Sequence, residues 1–177
     1  MLLFEKYKKT VVPQLAKEFG FKNAMAAPRI EKVTINIGIG KYLRDEKVLV
    51  DIERDLARIS GQKPVRTKAK KAIASFKTRQ GMDIGFKITL RGKRMWDFLE
   101  RMVSAALPRT RDFRGIPEKA VDQSGNLSVG IKEHFVFPEA SGDDVKTIFG
   151  FQVIVTTTAQ EREHGLKLFK LLGFPIK

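Results

Sequence analysis

Residues 32–41 read KVTINIGIGK, and two incompatible structures compete for them. In one, Gly40 and Lys41 close a phosphate-binding loop; in the other, the stretch is a β-strand with small residues at its end. The loop fails on spacing. A G-x-x-x-x-G-K-[ST] loop ending at Lys41 needs glycine at position 35 and a hydroxyl residue at 42, where this chain has Ile35 and Tyr42. The backbone nest for phosphates and the hydroxyl for Mg²⁺ are both lost. The dinucleotide pattern G-x-G-x-x-G fails as well, because Leu43 stands in place of its last glycine. The strand survives: Val33, Ile35, Ile37 and Ile39 alternate with Lys32, Thr34, Asn36 and Gly38, giving one apolar and one wet face. The glycines are expected to let the strand end turn sharply, or to let another backbone come close.

The same alternation returns further on, where Phe86, Ile88 and Leu90 interleave with Lys87, Thr89 and Arg91. Val65 to Lys71 is a third, basic strand candidate, with either Arg66, Lys68 and Lys70 or Val65 and Thr67 on its wet face. Shorter strands are expected near 128–137 and 151–158. Helical spacing marks 2–20 through Leu3, Tyr7, Val11, Leu15 and Phe19, with Pro13 kinking or dividing the helix. It also marks 44–60, stopped by Gly61; 93–107, stopped by Pro108; and about 160–172. Residues 73–81 and 109–126 lack a clear period and read as loops. The order is mixed rather than a regular βαβα alternation. That predicts an α+β fold in which a mainly antiparallel sheet is covered by helices on one face and open on the other. No repeat, linker or low-complexity tract divides the chain, so residues 1–177 read as one domain.

Charge narrows the function. The chain has 177 residues, 42% of them hydrophobic, and a formal net charge of +14. Between Lys63 and Arg114 stand fifteen basic residues and four acidic ones, most of the excess. A domain so basic implies a polyanionic partner. Membrane is disfavoured: the charges fall on strands and loops rather than on a basic amphipathic helix, and no apolar run reaches the roughly 18 residues of a span. Met1 to Lys9 has no signal-peptide core, and cysteine is absent, which removes disulfides and thiolate chemistry and fits a reducing compartment. The wet strand face offers lysine, arginine, threonine and asparagine but almost no ring for a base to stack on. It suits the backbone and shape of structured RNA, with base-edge or ribose contacts from Asn36, Gln62 and Thr89. His134 and His164 lie too far apart in sequence to suggest a ligand pair and read as core or surface residues. Asp143 and Asp144, in PEASGDD, read as a solvated loop or a contact for a basic protein. No cofactor, metal or small-molecule substrate is expected; the alternative from another class is a nucleotide-dependent enzyme using the GIGK turn.

Three stretches together resemble one family: PRIEKVTINIGIG (28–40), the long run from ISGQKPVRTKAKK to ALPRTRDFRG (59–115), and GIKEHFVFPE (130–139). They are similar to the bacterial large-subunit ribosomal proteins of the L-five family, over nearly the whole chain. The resemblance implies an RRM-like α+β fold and a non-catalytic, RNA-binding role in translation: a cytoplasmic ribosomal protein that attaches 5S rRNA in the central protuberance beside 23S rRNA. It implies rRNA contacts at Asn36, Gln62 and Thr89, and the charge and strand alternation read above add Lys32, Thr34, Lys63, Arg66, Lys68, Lys70, Lys87 and Arg91 as expected rRNA contacts. The loop at about 74–82 is expected to touch P-site tRNA through Ser75, Phe76, Lys77, Thr78, Arg79 and Gln80. An intersubunit bridge to a basic protein of the small-subunit head is expected at Arg111, Asp112, Phe113, Arg114, Asp143 and Asp144.

Overall fold

The computed structural model describes residues 2–42, 45–76, 78–142 and 147–177. Five strands, β1 (Ile30–Gly38), β2 (Val65–Lys68), β3 (Asp83–Leu90), β4 (Leu127–Ile131) and β5 (Phe151–Thr157), form one sheet in the order β2-β3-β1-β5-β4. Every neighbouring pair is antiparallel. The register lines up the apolar positions. Val33 lies opposite Leu90 on one side and Val155 on the other, and Ile35 opposite Ile88 and Val153. These rows join Ile52, Leu56 and Ile59 of α3 (Glu46–Ser60), Phe98 and Leu99 of α4 (Gly92–Arg101), and Leu168 and Phe169 of α6 (Arg162–Leu172) in one buried cluster. From Val33 on, the two-residue period has put the apolar side chains Val33, Ile35 and Ile37 of β1 on the helix side, leaving the other face to water.

Local signals set the boundaries. Asp45 accepts a hydrogen bond from the Val48 amide at 3.3 Å and starts α3; Gly61, in the left-handed region, ends it. The prolines act through a wider turn. As expected, the first run is divided into two short helices, α1 (Leu2–Lys6) and α2 (Val12–Phe19), and a π-helical turn at Tyr7–Val11 joins them ahead of Pro13. Likewise α4 passes through a π turn at Met102–Ala106 into α5 (Leu107–Arg109), and Pro108 does not stop the helix. Proline cannot bond the carbonyl four residues back and its ring crowds it. In both places the wider turn directly precedes the proline and re-spaces those carbonyls.

The strand end does turn sharply as expected, the Tyr42 N–H donating to the Ile39 carbonyl at 2.8 Å, but the turn does not depend on glycine. Neither Gly38 nor Gly40 has a positive φ, and a side chain at either would meet nothing within 4 Å. The close approach lies one strand over: a Cβ on Gly85 would sit 2.5 Å from the Ile37 carbonyl oxygen and 2.9 Å from Thr67 Oγ1. Nor is 73–81 an unstructured loop. Ile73 and Thr78 exchange two main-chain hydrogen bonds (3.1 and 3.2 Å) around a 3₁₀ turn at Ala74–Phe76, extending the β2–β3 hairpin. The expected strand at 128–137 ends at Ile131, and a 3₁₀ turn follows at His134–Val136.

His134 is wholly buried, its ring stacked on Phe149 with centroids 4.0 Å apart. Its Nε2 has no hydrogen-bond partner among the described residues and lies 3.7 Å from Asp55 Oδ2. Burial pushes the imidazole pKa down, and the nearby Asp55 charge only partly opposes this. The native state therefore favours neutral His134, whereas the unfolded chain takes up a proton as the pH falls through about 6.5. Stability contributed by this group is present above pH 6.5 and is lost below it, with a slope of up to about 1.4 kcal/mol per pH unit. Urea denaturation from pH 7.5 to 5 should show this loss, and His134→Gln should flatten it. An equal slope in both chains would assign it elsewhere.

Candidate nucleic-acid interface

The open face is built from the residues that alternate with the core. β1 contributes Lys32, Thr34, Asn36 and Gly38; β3 contributes Gly85, Lys87 and Thr89. Thr34 lies opposite Thr89, and Asn36 opposite Lys87. Asn36 and Lys87 are exposed, and Thr34, Thr89 and Lys32 are half-buried by their neighbours in the sheet. Gln62 enters from the end of α3: its side-chain amide donates to the Thr89 carbonyl oxygen at 3.3 Å, and Ser60 Oγ accepts its backbone N–H at 3.2 Å. The Gln62 amide oxygen finds no partner among the described residues. Asn36, Gln62, Lys87 and Thr89 thus form one patch of donors and acceptors facing solvent.

The second half of this face was missed in the sequence. Gln152 lies opposite Asn36 and Gly130, and Thr156 lies opposite Lys32. Ser128, beside Ile154, completes it. The signal was present in Phe151, Val153 and Val155, which alternate with Gln152, Ile154 and Thr156. Across all five strands no aromatic residue occupies the open side.

The register of β2 settles the alternative left open by its sequence. Val65 pairs with Lys87 and Thr67 with Gly85, so these two face outward. Arg66 pairs with Phe86 and turns to the helix side. There its guanidinium lies 5.9 Å from the Phe86 ring centroid and 3.4 Å from both Glu53 and Asp83. Arg66 therefore stands away from the open-face patch, as a clamp between α3 and the sheet edge. Lys68 follows a shift in register, pairs with Asp83 and is exposed. Lys63 pairs with Glu53 at 3.6 Å and Arg91 with Glu31 at 3.7 Å, both through exposed cations. Such surface pairs are worth at most about 1 kcal/mol, so either cation readily exchanges its carboxylate for a phosphate.

Lys70 lies beyond β2 and, with Ala69, Ile73, Phe76 and Ile84, lines a cleft of about 680 Å³ beside the 73–82 hairpin tip. Phe76 is 73% exposed. Ser75, Arg79 and Gln80 are exposed too, while Thr78 is half-buried and donates its hydroxyl to the Ile73 carbonyl. Lys77 lies outside the described residues. After α5, Arg111, Asp112 and Arg114 are exposed, but Phe113 packs against the core. Asp112 adopts φ +54, a left-handed conformation that aspartate tolerates. Asp143 and Asp144 lie outside the described residues; upstream, Glu139 is held by Arg101.

Among the described residues no helix is long and apolar enough to cross a membrane. Comparison with known proteins agrees with the geometry. Residues 23–79 match the model of the family described as ribosomal protein L5, and residues 83–176 match the model of that ribosomal family's C-terminus. A protein of Colwellia psychrerythraea named large ribosomal subunit protein uL5 is 49% identical over 175 residues, covering 99% of this chain and 97% of the relative. Its namesake in Shewanella denitrificans is 48% identical over 175 residues, covering 99% and 98%. An open, cationic, ring-free sheet face and matches along nearly the entire chain lead to one conclusion: the protein belongs to the ribosomal protein L5 family, a family of structural rather than catalytic ribosomal proteins.

Proposed function

We propose that this chain is a structural constituent of the large ribosomal subunit that binds 5S rRNA on its open sheet face and attaches it beside 23S rRNA. One observation carries the reading: Asn36, Gln62, Lys87 and Thr89 meet on a face without rings, where Lys32 adds a second cation. Such a face can hydrogen-bond phosphates, 2′-hydroxyls and base edges of folded RNA, but cannot stack splayed bases. Mobility-shift titration of the protein against purified 5S rRNA and bulk tRNA at moderate salt is the test. Preference for 5S rRNA supports the reading, and equal binding removes it.

The hairpin tip is the proposed contact for P-site tRNA, supported by exposed Phe76 and Arg79 at the far end of the β2–β3 hairpin. Phe76→Ala with Arg79→Ala should leave 5S binding unchanged and weaken tRNA retention in the P site of reconstituted ribosomes about tenfold, the scale of one lost stacking and one lost phosphate contact. Parallel loss of both would instead make the tip part of the 5S platform. For a basic protein of the small-subunit head, the Arg111–Arg114 turn, exposed at Arg111, Asp112 and Arg114, and the acidic segment containing Asp143 and Asp144 are the proposed contacts.

A further inference from the structure

Rings are missing from the sheet face, but they gather with cations elsewhere. Phe4 and Tyr7 lie one turn apart on the N-terminal helical run and both pack on Trp96 of α4, with centroids 5.3 and 5.4 Å away. Together with Met25, Arg29 and Ile30 they line a cup of about 410 Å³, a size that takes a flat ring and part of its sugar. Met25, on its rim, is 76% exposed.

Two positive charges border the cup. Lys8 Nζ lies 4.4 Å from the Phe4 ring centroid. Arg29 is exposed, and its charge reaches Tyr7, where it opposes the upward shift that burial imposes on the phenol. The Arg29 main chain is fixed: its N–H donates to Thr158 Oγ1 at 3.1 Å and its carbonyl accepts from the Thr158 N–H at 2.9 Å. The Tyr7 hydroxyl donates to the Pro28 carbonyl at 3.3 Å, which fixes that ring. Glu5 pairs with Lys9, and among the described residues no carboxylate pairs with Lys8 or Arg29.

We propose that this cup receives one unstacked nucleobase of single-stranded RNA, with the adjoining phosphate held by Lys8 and Arg29. A purely apolar protein side chain would fit the rings but leave both cations unanswered. A nucleotide satisfies both, because every base has a π-face and every base is joined to a phosphate. The site lies apart from the Asn36–Thr89 patch and stands independently of the 5S reading. Its chemistry is what that face lacks: it grips an extruded base where the sheet grips a folded backbone.

Trp96 is the only tryptophan of the chain; it is largely buried and packs against Phe4 and Tyr7 in the lining of the cup, so its fluorescence responds to a ring stacked on those neighbours. The full-length protein should show saturable quenching of tryptophan fluorescence on titration with hexa-adenylate, and less with hexa-uridylate, whose smaller base stacks more weakly. Lys8→Glu with Arg29→Glu should weaken that binding tenfold or more. Lys32→Glu with Lys87→Glu should leave the quenching curve unchanged, even where 5S binding is lost. Unchanged fluorescence, insensitivity to the Lys8 and Arg29 exchange, or loss of the signal in the Lys32 and Lys87 variant would overturn the proposal. Saturation by an apolar peptide without charge dependence would overturn it in favour of a protein contact. Because 5S affinity is read separately by mobility shift, the two readings fail separately.

Discussion

Exchanging Lys32 and Lys87 together for glutamate should lower affinity for 5S rRNA about a hundredfold near 0.15 M salt, while the protein keeps its fold. Both side chains belong to the open face, Lys87 opposite Asn36 and Lys32 opposite Thr156. Neither is held by an ion pair among the described residues, so reversal leaves no buried carboxylate behind. Each lysine that neutralises a phosphate releases about 0.7 to 0.9 counterion, and losing two should shallow the plot of log affinity against log salt by about 1.4 to 1.8. The repulsion of two new carboxylates adds to the loss. A mobility-shift series from 50 to 300 mM salt measures both quantities. Arg66→Ala is the internal control: it removes a cation of the same strongly basic segment, but on the helix side, where Glu53 and Asp83 already hold it. Its affinity should stay within about twofold of the parent. If Arg66→Ala weakens binding as much as the double reversal, the RNA does not lie on the face assigned here.

Gly165→Val should cost about 3 kcal/mol or more of folding stability, the upper part of the range for overfilling a packed interior. For a chain of this size that lowers the melting temperature by about 6 to 12 °C. Helix α6 approaches the turn before β4 backbone to backbone: a Cβ on Gly165 would lie 2.5 Å from the Gly125 carbonyl oxygen. That carbonyl accepts the hydroxyl of buried Thr157 at 2.8 Å, and the adjoining Asn126 side chain accepts the Thr157 N–H at 2.9 Å. Any side chain on Gly165 must therefore push α6 away or break bonds that tie the turn to β5. Gly125 cannot give way by taking on bulk itself, because its φ is +72 and its own Cβ would lie 2.6 Å from Ala159 Cβ. Gly130→Val is the contrast, since nothing lies within 4 Å of its added Cβ and β-branched residues suit strands. Thermal denaturation of the two variants should separate them clearly; similar melting temperatures would refute the close approach.

How much of this was legible in advance differs from element to element. The alternation in Lys32–Ile39 and Phe86–Arg91 set which side chains meet water, and the structure keeps that division for Asn36, Lys87 and Thr89. Period two leaves no freedom once one face is buried, because a slip of one residue would turn the whole apolar set outward. Arg66 shows where that logic ends. Val65–Lys68 has no clear apolar face, so its sequence is compatible with either side, and only pairing with β3 turned Arg66 inward. Pro108 shows a second limit: a local rule for stopping helices gave way to a π turn that keeps Ala106 and Leu107 in the core.

By itself, then, the amino-acid order determined the faces of the two clearly alternating strands β1 and β3, the helix spans to within a few residues, the basic character and the patch of Asn36, Gln62 and Thr89. Each of these depends on neighbours close in the chain or on summed composition. The tertiary structure alone decided the strand order β2-β3-β1-β5-β4, the inward turn of Arg66, the close approach at Gly165 and the meeting of Phe4, Tyr7, Arg29 and Trp96. Those features join residues distant in sequence, and no local period records which distant surface will pack against which.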